Sequence, residues 1–273
     1  MLVFPNCKIN LGLRIIRKRN DGFHDLESVF YPLLLNDALE GIQATNSPEF
    51  AVKITFSGLN IDGKPENNLC IKAYELLKED FPQLTALQLH LHKAIPVGSG
   101  LGGGSSDGAF TLKLLNQKFN LGLSTPQLID YALQLGSDCP FFIINKPCIA
   151  RGRGELLETI PVDLSPYKII IVYPGIHIST EWAFSQLKVS DTLEVFDTLS
   201  PIESWKEELK NDFEKAVFNQ YPEIQKIKED LYNTGAIYAS MSGSGSTVYG
   251  IFKNDAEISI SFPENYFVKE LPG

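Results

Sequence analysis

The sequence predicts a globular fold that mixes α-helices and β-strands. Apolar and polar residues alternate over positions 87–93, which is typical of a strand. Helical spacing relates the apolar residues of positions 68–78, where Asn68 is placed to cap the helix. The length of 273 residues allows one large domain or two modest ones, and 44% hydrophobic residues supply a sizeable core.

The charge balance and the cysteines exclude several classes of function. Because 33 acidic residues outweigh 24 basic ones, we expect no nucleic-acid partner and no anionic membrane surface. The four cysteines are scattered, without a Cys-x-x-Cys pair, which indicates reduced thiols in a cytoplasmic protein. The first residues lack the pattern of a signal peptide, and no apolar run reaches the roughly 20 residues of a membrane helix.

A glycine-serine run at positions 96–106 is the most informative stretch. It lies between the predicted strand 87–93 and a helix predicted at 109–115. Glycine adopts positive φ cheaply, and successive N–H groups in such a loop, with a helix N-terminus behind them, bind anions. No Gly-Lys-Ser/Thr follows, so this is not a Walker A loop. The pattern predicts a phosphate cradle, and a flexible surface loop is the alternative.

The run Pro-x-Gly-x-Gly-Leu-Gly-Gly-Gly-Ser-Ser resembles the ATP-phosphate loop of the GHMP kinases, which act on galactose, homoserine, mevalonate and related alcohols. A second run, Met-Ser-Gly-Ser-Gly-Ser-Thr at positions 241–247, is similar to another motif of this family. The resemblance implies an α+β fold of two domains. Residues 1–155 would form an ATP-binding domain like ribosomal protein S5 domain 2, and residues 156–273 a ferredoxin-like domain.

Motifs near the N-terminus narrow the resemblance to one branch, the 4-diphosphocytidyl-2-C-methyl-D-erythritol kinases of non-mevalonate isoprenoid biosynthesis. The branch patterns are Ala-Lys-Ile-Asn-Leu and Asp-Gly-Tyr-His, and the chain has Cys7 for the alanine and Phe23 for the tyrosine. Phe23 keeps the stacking face and loses a hydroxyl. The resemblance implies transfer of the γ-phosphate of ATP to the 2-hydroxyl of 4-diphosphocytidyl-2-C-methyl-D-erythritol.

Lys8 and Asp138 are the candidate catalytic residues. Taken alone, the alternation of positions 7–13 indicates a half-solvated strand with Lys8 in water, and Asp138 indicates a turn. The resemblance implies more, because Gly-x-Asp-x-Pro carries the catalytic aspartate of the family. We hypothesise that Asp138 accepts the hydroxyl proton, while Lys8 orients the hydroxyl, stabilises the transferring group and keeps Asp138 ionised.

The resemblance also implies the residues that bind ATP and substrate. The ATP-binding residues are Asn68, Leu69, Lys93, Pro96, Val97, Gly98, Ser99, Gly100, Leu101, Gly102, Gly103, Gly104, Ser105 and Ser106. The substrate-binding residues are Asn10, Phe23, His24, Thr180 and Phe184. Phe184 would face Phe23 across a cytosine ring, although a packed His24 and a core Phe184 are the plain alternatives. Magnesium accompanies ATP, with Ser105, Ser106 and Asp107 as its candidate ligands.

Two other segments and two other functions stay open. The basic run at 151–155 forms either an anion site or a structural turn, and the family pattern favours the turn. The Asn-Asp-Phe-Glu motif at 211–214 is expected to be structural. The alternative functions are a homoserine or mevalonate type of kinase, without use for a cytosine pocket, and a GHMP-fold regulator without kinase activity. The presence of Lys8 and Asp138 argues against the regulator.

Overall fold

The structure is a computed structural model that describes residues 1–44, 51–61, 63–187 and 199–273. Its strands are β1 (Leu2–Val3), β2 (Asn6–Lys18), β3 (His24–Asn36), β4 (Ala38–Gln43), β5 (Val52–Gly58), β6 (Leu87–Lys93), β7 (Cys148–Arg151), β8 (Leu156–Thr159), β9 (Tyr167–Tyr173), β10 (Tyr238–Met241), β11 (Val248–Lys253) and β12 (Phe267–Pro272). Its α-helices are α1 (Leu69–Asp80), α2 (Gly103–Lys118), α3 (Thr125–Leu135), α4 (Cys139–Ile144), α5 (Thr180–Ser185), α6 (Trp205–Glu208), α7 (Glu214–Gln220) and α8 (Pro222–Asn233). Among the helices of the described ranges, none is long and apolar enough to cross a membrane.

Contacts divide the chain into two compact units whose segments alternate along the sequence. The first unit comprises Met1–Cys7, Leu35–Val97 and Gly102–Lys146, and the second comprises Lys8–Leu34, Gly98–Leu101 and Pro147–Gly273. The chain therefore changes unit twice within the first glycine-serine run. The division of the sequence into residues 1–155 and 156–273 stays a prediction.

The first unit contains a four-stranded sheet in the order β1-β4-β6-β5. Strand β6 pairs antiparallel with β4 and parallel with β5. Its leucines at 87, 89 and 91 are buried, as the alternation predicted. A Cβ added at Gly41 in β4 would lie 2.8 Å from Leu114 in α2, so helix α2 packs closely on this sheet. The strand and the helix that flank the glycine-serine run thus belong to one core.

The second unit contains two four-stranded sheets, in the orders β2-β3-β7-β8 and β10-β11-β9-β12. Strand β9 pairs antiparallel with β11 and β12 at the centre of the second sheet. Helices α7 and α8 supply Val217, Ile224 and Leu231 to a core that also contains Leu13 and Val248. Asp212 accepts a hydrogen bond from the Ile15 N–H at 2.7 Å, which fixes β2 beside the start of α7.

Helix boundaries follow the capping residues of the sequence. The Asn68 side chain accepts from the Cys70 N–H at the start of α1, and the Ser179 side chain accepts from the Trp182 N–H at the start of α5. Ser124 forms a capping box with Gln127, and α3 ends before Gly136. Asn68, Ser124 and Ser179 are residue types that satisfy N–H groups left without partners at a helix start, and the predicted cap at Asn68 is confirmed.

One boundary differs from the prediction. Helix α2 begins at Gly103, so residues 103–106 of the glycine-serine run are helical rather than loop. The start is set by Gly102, whose φ of +71° turns the chain into the helix. Glycine has a low helix propensity, which is why the sequence pattern places the start later. The N-terminal N–H groups of α2 therefore belong to the predicted phosphate cradle itself.

Candidate active site

The two glycine-serine runs meet backbone to backbone in the second unit. A Cβ added at Gly100, whose φ is +89°, would lie 2.1 Å from the Ser242 carbonyl oxygen. One added at Gly245 would lie 2.5 Å from the Gly100 nitrogen. The Thr247 N–H donates to the Ser99 carbonyl at 3.2 Å. Such distances exclude any side chain, so Gly100 and Gly245 are required by the contact between the two runs.

Asn10 connects strand β2 to both runs through neutral hydrogen bonds. Its N–H donates to the Ser242 hydroxyl at 3.3 Å, and that hydroxyl donates to the Gly100 carbonyl at 2.9 Å. The Asn10 amide donates to the Ser28 hydroxyl at 2.9 Å, which in turn donates to the Gly12 carbonyl at 2.6 Å. Asn10, Ser28 and Ser242 are all buried. The network fixes a predicted substrate-binding residue beside the predicted phosphate loop.

Lys8 is buried, with 3% of its surface exposed, so the prediction of a lysine in water is wrong. Its ammonium group donates to Asn10 Oδ1 at 2.6 Å and lies 4.4 Å from the centre of the Phe30 ring. Its backbone N–H donates to the Leu101 carbonyl at 2.9 Å. Alternation cannot distinguish water from a buried polar site, because in both cases one face of the strand is polar.

Aromatic rings lie together at the start of β3. His24 stacks on Phe184, with ring centres 4.8 Å apart and 21° between the planes. Phe184 also meets Phe213 edge to face at 5.0 Å. Phe23 is 54% exposed and is covered on one face by the Arg153 guanidinium at 5.0 Å. The rings in contact are thus His24 and Phe184, and the pairing of Phe23 with Phe184 across a cytosine stays a prediction.

The imidazole of His24 is suited to hydrogen bonding in its neutral form. Burial lowers the pKa of His24, and the positive charge of Lys18 lowers it further. A neutral imidazole offers one donor and one acceptor, which matches the edge of a planar heterocycle.

The second glycine-serine run is fixed from two sides. The Asn211 amide donates to the carbonyls of Met241 and Gly243 at 3.0 and 2.8 Å. The hydroxyls of Thr180 and Ser244 lie 3.1 Å apart. Asn211 thus shapes the loop, which is the structural role expected of the 211–214 motif. Thr180 and Asn10, two predicted substrate-binding residues, both contact this loop.

The first unit supplies the helical part of the predicted phosphate cradle. The Ser106 N–H donates to the Gly102 carbonyl at 2.9 Å, which closes the first turn of α2. The N–H groups of the preceding residues lie at the positive end of a 16-residue helix, where they favour an anion. A Cβ at Gly103 would lie 2.9 Å from the Ile95 side chain and 3.1 Å from the Lys93 ammonium, so the turn packs on the end of β6.

The other predicted ATP-binding residues of this unit lie on both sides of that turn. Asn68 caps α1, and Leu69 begins it. A Cβ at Gly108 in α2 would lie 2.9 Å from the Leu69 Cβ, so the two helix starts are in contact. Pro96 and Val97 end the segment that leads from β6, and Val97 is exposed. Their contact with a nucleotide stays a prediction.

Asp138 directly precedes α4 in the first unit. The next residue, Cys139, forms a side-chain hydrogen bond with Ser105 in the first turn of α2. Burial raises the pKa of the Cys139 thiol to about 12, so this cysteine is a neutral packing residue rather than a nucleophile. The predicted catalytic aspartate and the predicted phosphate-binding turn are therefore neighbours within one unit.

A buried ion cluster underlies the turn. The Lys93 ammonium donates to Asp107 Oδ2 at 2.6 Å and to Asp37 Oδ2, and all three side chains are buried. The other oxygen of Asp37 accepts from the N–H groups of Ala94 and Ile95 at 2.6 and 2.9 Å. Burial lowers the pKa of Lys93, but the charges of Asp107 and Asp37 outweigh it and raise the pKa above 10.5. The cluster joins the end of β6 to the first turns of α2.

Oxygen atoms suited to a hard cation lie beside this cluster. Ser106 Oγ and Asp107 Oδ1 are buried and have no hydrogen-bond partner among the described residues. Hydroxyl and carboxylate oxygens are the donors that Mg²⁺ prefers, so these two atoms fit the ion that accompanies ATP. The described ranges contain no group of three or more histidine, cysteine, aspartate or glutamate side chains that could hold a metal alone. A cation here would need ligands from a bound phosphate as well.

Family comparisons agree with this geometry. Residues 68–146 match the model of the GHMP kinases N terminal domain, and residues 196–260 match that of the GHMP kinases C terminal domain. A 4-diphosphocytidyl-2-C-methyl-D-erythritol kinase from Bacteroides fragilis (strain ATCC 25285) is 50% identical over 95% of this chain and 94% of its own. The chain belongs to the 4-diphosphocytidyl-2-C-methyl-D-erythritol kinase family. A member of this family from Cytophaga hutchinsonii is 48% identical over 97% of this chain and 96% of its own.

Solved structures of the family and of its wider group confirm the fold. A crystal structure of 4-(cytidine 5'-diphospho)-2C-methyl-D-erythritol kinase covers 100% of both chains with a TM-score of 0.78 and 26% identity. A homoserine kinase from Cytophaga hutchinsonii shares the fold alone, with a TM-score of 0.68 at 14% identity over 99% of this chain and 93% of its own. The predicted α+β GHMP kinase fold is confirmed, and membership of the 4-diphosphocytidyl-2-C-methyl-D-erythritol kinase family makes the chain a small-molecule kinase.

Proposed function

We propose that this protein transfers the γ-phosphate of ATP to the 2-hydroxyl of 4-diphosphocytidyl-2-C-methyl-D-erythritol, in isoprenoid precursor synthesis. The observation that carries the proposal is the buried polar face of β2. There the Lys8 ammonium group donates a hydrogen bond to Asn10. Asn10 contacts Ser242, which donates to the Gly100 carbonyl of the predicted phosphate loop. A buried ammonium group beside the predicted phosphate loop is placed to stabilise negative charge on a transferring phosphoryl group. The names of the relatives at 48–50% identity support the choice of substrate.

In the proposed reaction, Asp138 accepts the proton of the 2-hydroxyl as its oxygen attacks the γ-phosphorus. The bond between the γ-phosphorus and the bridging oxygen breaks, and ADP leaves with that oxygen. Lys8 orients the hydroxyl and stabilises charge on the transferring group. The N–H groups of Gly100 and of the first turn of α2 bind the phosphates. Ser106 Oγ and Asp107 Oδ1 would hold a magnesium ion, which would neutralise part of the phosphate charge.

Substrate recognition is assigned to the aromatic group and to the second glycine-serine run. The stacked rings of His24 and Phe184 offer an aromatic face and a neutral imidazole to the cytosine, and Phe23 offers a second face. Thr180 and Asn10, which contact the second glycine-serine run, are also assigned to substrate binding. We place the enzyme in the cytoplasm, since its four cysteines, all of them among the described residues, are buried and form no disulfide.

Product analysis tests the proposed function. The protein is incubated with magnesium-ATP and the cytidylyl substrate, and ³¹P NMR follows the phosphorus signals. We expect a new phosphomonoester signal on the erythritol moiety, in equal amount to ADP. Inorganic phosphate without a phosphomonoester would show ATP hydrolysis instead, and the proposed function would be wrong.

The assignment of Asp138 has a separate test. Asp138→Asn keeps the shape of the side chain and removes the base, so kcat should fall by about 10²–10⁴-fold, while the affinity for ATP changes less than about threefold. Rapid-quench turnover and calorimetric ATP titration measure the two quantities. Turnover within tenfold of the wild type would assign the base elsewhere.

A further inference from the structure

The basic turn at positions 151–155 is rigid and is attached to the predicted substrate-binding strand. Gly152 and Gly154 have φ of +70° and +108°. The Arg153 N–H donates to Glu155 Oε2 at 2.5 Å, and the Leu26 N–H donates to the Gly152 carbonyl at 2.7 Å. The glycines allow the tight turn, and the two hydrogen bonds fix the position from which Arg153 extends.

The two arginines of this turn have different surroundings. Arg151 is bonded to Glu27 at 2.9 Å and to Glu158 at 3.0 Å. The guanidinium of Arg153 lies over the Phe23 ring at 5.0 Å. Arg153 forms an ion pair with Glu155 at 3.8 Å, which is longer than a hydrogen bond, and, besides the hydrogen bond from Arg19, its charge helps to lower the pKa of Asp21. The in-plane donors of Arg153 are thus available beside the Phe23 ring.

We propose that Arg153 binds the diphosphate of the nucleoside-diphosphate substrate, while the neighbouring rings bind its base. This proposal rests on the proposed function and adds a residue that determines affinity for the substrate. Arg153 covers Phe23, Phe23 precedes His24 in the chain, and His24 stacks on Phe184. The Arg153 guanidinium and the aromatic rings therefore lie together at the start of β3.

The chemistry of the guanidinium favours the diphosphate over the base. Planar guanidinium groups bind phosphate oxygens through paired hydrogen bonds, whereas the rings already offer faces and edges for cytosine. The protein carries a net charge of −9, so a diphosphate needs a local cation to bind. Arg19, a nearby alternative, is engaged by Asp21 and Asp25 at 2.9 Å.

Three ligands separate a diphosphate contact from a base contact. Cytidine 5′-diphosphate, cytidine and inorganic pyrophosphate are titrated calorimetrically into the wild type, Arg153→Met and Arg153→Lys. The matched control is Lys206→Met, because Lys206 also lies over an aromatic ring, that of Tyr232 at 4.7 Å, away from the predicted site. Thermal denaturation of each variant checks the fold.

We expect Arg153→Met to weaken cytidine 5′-diphosphate at least tenfold, as the loss of a charged hydrogen bond does, and to change cytidine less than twofold. Arg153→Lys should be intermediate, because lysine keeps the charge and loses the paired geometry. Lys206→Met should match the wild type. Equal losses for the diphosphate and for cytidine, an unchanged diphosphate affinity, or no binding of the diphosphate by the wild type would overturn the proposal.

Steady-state kinetics keep this proposal distinct from the proposed function. Turnover of the cytidylyl substrate by the wild type decides the proposed function. With turnover present, Arg153→Met should raise the KM for that substrate at least tenfold and leave the KM for ATP within twofold. An unchanged substrate KM in an active Arg153→Met enzyme would refute the role of Arg153 and leave the kinase assignment standing.

Discussion

The two compact units fix their parts of the first glycine-serine run through different kinds of interaction. In the first unit, the start of α2 lies on a buried ion cluster of Lys93, Asp37 and Asp107. In the second unit, the Gly100 end of the loop is held by uncharged groups, with Ser242 and Asn10 at the centre. Both arrangements fix backbone that is predicted to bind phosphate, one by charge and the other by neutral hydrogen bonds and close contact.

The difference corresponds to the charges that surround α2 and the Gly100 loop. Helix α2 presents a positive end to the predicted phosphate site, and its supporting cluster has two carboxyl groups for one ammonium, so the cluster adds no net positive charge. The Gly100 loop lies beside Lys8, whose ammonium group donates to Asn10. Asn10 in turn contacts Ser242, which donates to the Gly100 carbonyl, so neutral side chains connect Lys8 to the loop.

The largest expected effect is on folding stability, and it separates the two kinds of support. Lys93→Met leaves the two buried carboxyl groups of Asp37 and Asp107 without their cation, and the free energy of unfolding should fall by about 3–5 kcal/mol. Ser28→Ala removes one neutral partner of Asn10 and should cost about 1–2 kcal/mol. Urea denaturation of both variants measures the difference. Equal losses would contradict the contrast between an ionic and a neutral support.

The next effect concerns the close contact of the two runs. In Gly100→Ala, the added Cβ would overlap the Ser242 carbonyl at 2.1 Å, and the φ of +89° is unfavourable for alanine. We expect a loss of about 2–4 kcal/mol in unfolding free energy. Gly104→Ala is the matched control, since no atom lies within 4 Å of its Cβ position and alanine favours the helix by about 1 kcal/mol. A Gly100→Ala protein as stable as Gly104→Ala would show that the runs do not pack together.

The smallest effect is a pH dependence confined to the ionic support. Burial raises the pKa of Asp107 from 3.8 to about 8, although the charge of Lys93 opposes the rise. The folded protein therefore holds this proton more tightly than the unfolded chain does, so its stabilising contribution is present below pH 4 and is lost as the pH rises to 8. Asp107→Asn does not titrate. The difference in unfolding free energy between wild type and Asp107→Asn should shift against the wild type from pH 5 to pH 8, and a constant difference would refute the raised pKa.

Local signals were sufficient for most elements of the fold. Asn68 and Ser179 are capping residues that act within a few positions of the helices they begin, and the alternation of β6 is read from seven neighbouring residues. The start of α2 was misplaced because glycine-rich segments are usually not helical. There the positive φ of Gly102 and packing on Ile95 determine the boundary.

The candidate site was only partly predictable, because its contacts join distant positions. Asp37 and Lys93 are separated by 56 positions, and Asn10 and Ser242 by 232. No periodicity relates such pairs, so their contact and the burial of Lys8 required the structure. The motifs supplied the candidate residues of the site, and the structure added the partners that hold them, Asn211 and Ser28 among them.

Acceptor specificity tests the proposed function most directly, and we would measure it for four phosphate acceptors with the same purified protein. ADP release is measured with magnesium-ATP and, in turn, the cytidylyl-methylerythritol, mevalonate, homoserine and galactose. We expect the kcat/KM for the cytidylyl-methylerythritol to exceed that for each other acceptor by at least about 10³-fold. The other three acceptors lack a nucleotide, so they make no contact with the aromatic rings or with Arg153. Comparable or faster turnover of any other acceptor, or no turnover of the cytidylyl-methylerythritol, would contradict the central claim.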